Sequence, residues 1–261
     1  MVNKDNKPAI EVRNLTFSYG KNTVLKDISI KFESGKITTI MGANGCGKST
    51  LFALMTKNLY QKRGNIFLKG KNIQNLTLKE FAKKVAIVTQ YNTISEDITV
   101  EKLVEFGRTP YKKLMDRSTK EDYEIIYNAM KITGVLPYKD REVSMLSGGQ
   151  RQRVWIAMAL AQDTKILLLD EPTTYLDIRY QIEILELVKR LNKEYGITII
   201  MVLHDINQAI AYSDRIVGLK DGNVVIDGVP QEVINTDSIN EIYGINLKVT
   251  NIDGNPFVLA I

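Results

Sequence analysis

"ITTIMGANGCGKSTLFALMTKNL", residues 37–59, sets a short apolar run against a glycine-rich turn and a segment with helical spacing. The run 37–41 has the character of a buried strand and stops at Gly42. From Gly42 to Ser49 the chain follows G-x-x-x-x-G-K-[ST], the spacing of a phosphate-binding loop. Glycines let successive backbone N–H groups close around phosphate oxygens, and the N-terminus of the following helix adds a favourable dipole. Gly42, Ala43, Asn44, Gly45, Cys46, Gly47, Lys48, Ser49 and Thr50 are therefore the expected nucleotide cradle. Within it Lys48 reaches the β- and γ-phosphates and the Ser49 hydroxyl ligates Mg²⁺. A chance glycine-rich loop would lack the strand before it and the helix after it.

Outward from this stretch the chain alternates strands and helices. "AIEVRNLTFSYG" and "ISIKFESG" alternate apolar and polar residues, and "GNIFLKG" and "VAIVTQ" add strand material. Between about Gln90 and Gln162 strand signals become scarce and helical periodicity takes over, which marks a helical lobe inserted into an α/β core. "KILLLDEP", the helix "IRYQIEILELVKRLNKEYG", the strand "ITIIMVLHD", a short helix over Ile206 to Tyr212 and a hairpin turning on Asp221-Gly222 resume that core. The tail from Val229 has mixed signals and no assignable element. The alternation predicts a doubly wound parallel sheet, whose ligands sit beyond the carboxyl ends of its strands.

Polar residues stand at those ends. Asp170 and Glu171 follow "ILLL"; Asp170 suits the Mg²⁺ shell and Glu171 can deprotonate an attacking water. Gln90 ends "VAIVTQ", where an amide can touch Mg²⁺ or the water. His204, the one histidine, ends "IIMVLH"; a lone histidine is more often a core residue, but a strand end beside a γ-phosphate favours catalysis. A second glycine-rich turn, "SMLSGGQRQR" at 144–153, has no strand feeding it. Ser147 and Gln150 fit a capping box for the helix that follows, and Gly148 and Gly149 can expose N–H groups to an anion.

These strand endings together with "LSGGQ" closely resemble the nucleotide-binding subunit of ATP-binding cassette (ABC) transporters, from about Ile10 to beyond Gly228. The resemblance implies a P-loop NTPase (RecA-like) parallel-sheet core with an N-terminal antiparallel β subdomain and an inserted α-helical subdomain. It implies one ATPase domain over 9–233, with β subdomain and core at about 9–89 and 163–228, helical subdomain at about 90–162, and a C-terminal extension at 234–261. By resemblance Gln90 is the Q-loop glutamine, His204 the switch histidine, "TTYLD" ending at Asp177 the D-loop, and Tyr19 the aromatic that stacks on adenine. Tyr175 departs from the small residue common in the D-loop, and Ala43 stands where many relatives have proline.

The resemblance further implies ATP and Mg²⁺ as cofactors and a homodimer in which Ser147, Gly148, Gly149 and Gln150 of one subunit close on the partner's ATP. It also implies a multi-span membrane permease and an extracytoplasmic substrate-binding receptor, with the chain peripheral on the cytoplasmic side of the membrane. "TVEKLVEFGRTPY", "DEPTTYLDIRYQIEILELVKRLN" and "MVLHDINQAIAYSDRIVGLKDG" resemble importers of iron-siderophore complexes, haem or vitamin B12, with iron-siderophore uptake the leading expectation. The rival is a soluble ABC ATPase of another system, such as iron-sulfur cluster assembly.

Bulk properties agree. With 261 residues, 44% hydrophobic and a net charge of +5, the chain is an ordinary globular one whose lysines are scattered rather than clustered. No basic-aromatic stripe points to nucleic acid, so none is expected as a partner. The N-terminal segment lacks a secretory h-region and the apolar runs are far too short to span a bilayer, so a soluble intracellular protein is expected. Cys46 is the sole cysteine; near a helix N-terminus its thiol pKa is expected to fall, unless it is only a small inert residue lining the turn.

Overall fold

A computed structural model describes residues 7–90, 97–113 and 117–259. In chain order, β1 (Ile10–Tyr19), β2 (Asn22–Phe32), β3 (Ile37–Gly42), α1 (Lys48–Met55), β4 (Arg63–Leu68) and β5 (Lys71–Asn72) come first. Then follow α2 (Leu78–Ala82), β6 (Ala86–Val88), α3 (Val100–Glu105), α4 (Lys120–Thr133), α5 (Gly148–Ala161), β7 (Ile166–Asp170) and α6 (Ile178–Tyr195). The chain closes with β8 (Thr198–Val202), α7 (Ile206–Tyr212), β9 (Arg215–Lys220), β10 (Asn223–Gly228), α8 (Pro230–Val233), α9 (Thr236–Tyr243), β11 (Lys248–Ile252) and β12 (Asn255–Leu259). These elements form two compact units, one of residues 1–76 with 198–261 and one of residues 77–197.

In the first unit β1 pairs antiparallel with β2 on one side and β4 on the other. β3 pairs parallel with both β8 and β9, and β10 returns antiparallel on β9. All six residues of β3 and all five of β8 are buried, the uniform burial of strands covered on both faces, which explains why their sequences run apolar instead of alternating. The hairpin between β9 and β10 turns where Asp221 (φ 48°) and Gly222 (φ 81°) both take the left-handed conformation that matches strand twist. The tail that sequence patterning leaves unassigned folds as α8, α9 and a β11–β12 hairpin.

In the second unit β6 and β7 pair parallel, and α3, α4 and α5 enclose a core that includes Val100, Leu103, Ile126, Met130, Val154 and Ala157. A buried ion pair locks this core. Arg108 Nε donates to Asp122 Oδ1 at 2.7 Å and its Nη1 donates to the Ala161 carbonyl at 3.0 Å, linking the segment before α4 to the end of α5. Asp122 Oδ2 closes the α4 capping box, accepting from the Thr119 backbone N–H and hydroxyl, both at 2.9 Å. Burial pushes the Asp122 carboxyl up, but the Thr119 backbone and hydroxyl and the Arg108 guanidinium outweigh it and hold it down at about 2. "FGRTPY", a subfamily signal in sequence, thus has a packing role through Arg108.

Replacing Arg108 with Ala leaves a buried carboxylate unpaired and is expected to cost ~3 kcal/mol of stability at neutral pH. A depressed folded-state pKa contributes stability that is complete above the unfolded value near 3.8 and is lost as pH falls through about 2. The wild-type advantage, measured by urea unfolding, is therefore expected to shrink between pH 4 and pH 2.

Candidate functional site

β3 delivers the chain into its turn at a point with no room for a side chain. Gly42 has φ 149°, and a Cβ there would lie 2.3 Å from the Leu219 carbonyl oxygen and 2.7 Å from Cys46 Sγ. Beyond it the loop is closed by its own lysine. Lys48 is buried, and its Nζ donates to the carbonyls of Gly42 at 2.8 Å and Ala43 at 3.0 Å. The Cys46 N–H donates to the Ala43 carbonyl at 3.3 Å, and the Cys46 carbonyl accepts from Gly222 N–H at 3.1 Å. The Gly222 carbonyl in turn accepts from Lys26 N–H at 2.8 Å, so the loop is moored to the β9–β10 turn and to β2. Asn44, Gly45 and Ser49 are exposed, while Thr50 is buried.

Cys46 departs from expectation. It is buried, and burial pushes its thiol above the usual range; Lys48 and backbone N–H groups pull the other way and do not prevail. Desolvation outweighs the helix end because the side chain is enclosed. Tyr19, at the end of β1, is 53% exposed and meets Phe17 edge-on at 5.0 Å, which leaves ring surface open to a planar partner. His204 lies exposed between β8 and α7, and the Leu203 N–H donates to the Ile40 carbonyl at 3.4 Å, holding the end of β8 beside that of β3.

In the second unit strand register brings two of the expected residues together. β6 and β7 pair with Val88 opposite Leu169, so Gln90 and Glu171 each fall two residues past the last paired positions. Gln90 Nε2 donates to Glu171 Oε2 at 2.6 Å, and the Thr174 hydroxyl donates to the same oxygen at 3.1 Å. Glu171 holds φ 49°, a left-handed conformation that costs a non-glycine residue ~1–2 kcal/mol and commonly marks a functional position. A carboxylate gripped by two donors at a strained turn is fixed in direction, as a general base must be. Thr174 was not among the sequence expectations; its only signal is the repeated threonine in "EPTTYLD".

The second glycine-rich turn forms the capping box. Gln150 N–H donates to Ser147 Oγ at 3.3 Å and Ser147 N–H to Gln150 Oε1 at 3.0 Å. Gly149 also has a packing reason, since a Cβ there would come within 2.4 Å of Tyr180 Cδ1 on α6. Asp177 caps α6, its Oδ1 accepting from Tyr180 N–H at 3.0 Å, and Tyr175 is 80% exposed at φ 63°.

Ser49 in the first unit offers a hydroxyl, and Asp170 and Gln90 in the second offer a carboxylate and an amide oxygen, the Gln90 nitrogen being committed to Glu171. Each is a hard oxygen donor of the kind that Mg²⁺ takes. Among the described residues no cluster of three or more His, Cys, Asp or Glu side chains could hold a metal ion unaided.

The family described as "ABC transporter" matches residues 25–174. The petrobactin import ATP-binding protein FpuC of Bacillus anthracis is 45% identical, over 95% of this chain and 91% of that protein. The ferric enterobactin transport ATP-binding protein FepC of Escherichia coli is 43% identical, over 95% and 92%. Among solved structures, the dimeric post-hydrolysis state of the ATP-binding cassette MJ0796 bound to ADP and Pi superposes with a TM-score of 0.71 at 30% identity, over 84% of this chain and 98% of that one.

Enclosed and desolvated, Cys46 is expected to react with maleimide at pH 7.5 at least about tenfold more slowly than a free cysteine thiol. A rate equal to that of the free thiol would show that the loop opens readily.

Proposed function

The chain belongs to the ABC transporter family, and from that premise we propose that it is the ATP-hydrolysing motor of an importer for iron-siderophore-type chelates. Its fold is that of P-loop NTPases, it binds ATP, and it is an ATPase. The bond between Gln90 and Glu171 carries the hydrolytic reading, since it aims a carboxylate from the place where an attacking water must be held. Domain limits follow the same reading: one ATPase domain over 9–233 with a helical subdomain at about 90–162, and a C-terminal extension beyond 234.

Tyr19 stacks on adenine. Backbone N–H groups of 42–50 and the Lys48 ammonium hold the phosphates, Lys48 exchanging its carbonyl partners for phosphate oxygens. Ser49, Asp170 and Gln90 would hold Mg²⁺, which supplies charge neutralisation at the phosphates. Glu171 takes the proton of the attacking water, and His204 donates to the γ-phosphate oxygens. Ser147, Gly148, Gly149 and Gln150 act across a homodimer on the partner's nucleotide, and Asp177 lines that interface. The dimeric form of the MJ0796 cassette supports pairing.

No helix among the described residues is long and apolar enough to cross a membrane, so uptake requires a separate multi-span permease. We place the chain as a peripheral subunit on the cytoplasmic side of that permease, with an extracytoplasmic receptor supplying the chelate. FpuC and FepC carry different siderophores in their names at nearly equal identity, which supports the cargo class over any one chelate.

Glu171→Gln is expected to lower ATP turnover by at least about a hundredfold while ATP binding persists, trapping a nucleotide-bound dimer on size exclusion; normal turnover removes Glu171 from catalysis. Ser147→Arg is expected to leave ATP binding by the monomer unchanged and to block both dimerisation and hydrolysis. Loss of monomer ATP binding with the fold intact would refute the action across the dimer.

A further inference from the structure

The C-terminal segment, outside the matched family region, makes a specific contact beside His204. Asn207, three residues on and in the first turn of α7, donates from Nδ2 to the Val258 carbonyl at 3.0 Å and accepts at Oδ1 from Val258 N–H at 2.9 Å. One carboxamide thereby satisfies both backbone groups of one residue of β12, as a neighbouring strand would. Val258 itself is buried, and Pro256 with it. Gln231 Nε2 donates to Asn255 Oδ1 at 2.7 Å and fixes the start of the same strand.

This contact matters because neither partner is stable alone. α7 has seven residues, too few to persist without tertiary support, and an isolated two-stranded hairpin is marginal in water. The far end of α7 is already tied to β3: the Thr39 and Ser213 hydroxyls meet at 2.6 Å, and Ile37 N–H donates to Asp214 Oδ2 at 2.9 Å. At the near end the Asp205 carboxylate caps the helix through Gln208 N–H at 2.8 Å. Asn207 adds a third restraint, from β12. Tyr243, closing α9, brings the same segment toward the phosphate loop. Its hydroxyl is buried without a partner in good hydrogen-bond geometry, and burial pushes it up to about 12, with Gly42, Cys46 and Asp205 its electrostatic neighbours.

We propose that the β11–β12 hairpin is a positioning element for hydrolysis, holding the start of α7, and with it the adjoining His204, in place through the Asn207–Val258 pair. The proposal rests on the role given to His204 above. Asn207 touches neither nucleotide nor water in this scheme; it acts through the histidine.

The test is a double-mutant cycle on the full-length chain, reading steady-state ATPase and equilibrium ATP binding. Asn207→Ala is expected to lower kcat about tenfold with ATP Kd changed less than twofold. Asn207→Asp, which keeps the acceptor for Val258 N–H but sets an anionic oxygen against the Val258 carbonyl, is expected to lower kcat at least as far as Ala, and it serves as the primary variant if Asn207→Ala does not fold. Within a His204→Ala background Asn207→Ala is expected to cost nothing further in kcat. Unchanged kcat in both Asn207 variants overturns the proposal, as does a full additional loss in the double mutant. Wild-type kcat in His204→Ala alone is a separate result: it removes the histidine from the hydrolytic reading and the proposal with it.

Discussion

The turn out of β3 is possible only because Gly42 has no side chain. The Leu219 carbonyl of β9 and the sulfur of Cys46 occupy the space that a Cβ would need. Any other residue would push the loop away from β9 or break the parallel pairing that ends with Gly42 opposite Leu219. The positions of Lys48 and of the helix it opens follow from that single close approach. So does the mooring of Cys46 to Gly222, which makes the β9–β10 turn part of the loop's foundation.

A comparable constraint organises the second unit around Glu171. Parallel register carries Gln90 and Glu171 off adjacent strand ends at the same height, and a left-handed backbone then swings the carboxylate into reach of the amide. Strain of ~1–2 kcal/mol is held there by the surrounding bonds, including the one from Thr174. The unit that carries this strain is braced elsewhere by the Arg108–Asp122 pair, whose desolvated charges are offset by the Thr119 cap and the Ala161 carbonyl.

Much of this was legible in the sequence because it is local. A buried strand running into a glycine turn, a capping box over four residues and an Asp-Gly hairpin each declare themselves within a few positions, and β3, α1, α5, α7 and the β9–β10 turn formed where the patterns predict. What escaped depends on long-range contacts. Arg108 and Asp122 meet from 14 positions apart, Asn207 and Val258 from 51, and nothing in the tail's composition names its partner. Of the two sequence readings of Cys46, burial favours the small inert residue lining the turn over the lowered thiol: proximity to a helix end is readable from spacing, whereas enclosure by neighbouring elements is not.

Lys48 has a further consequence. Its ammonium already bridges two carbonyls of the loop it belongs to, so together with the mooring to Gly222 the loop holds its shape before any ligand arrives. On the proposed reading, capture of a phosphate is then an exchange of partners at one cation, and the conformational entropy of shaping the loop is lost during folding and not at the encounter. A site built this way takes up and gives up its ligand without refolding. A motor that must cycle depends on that reversibility.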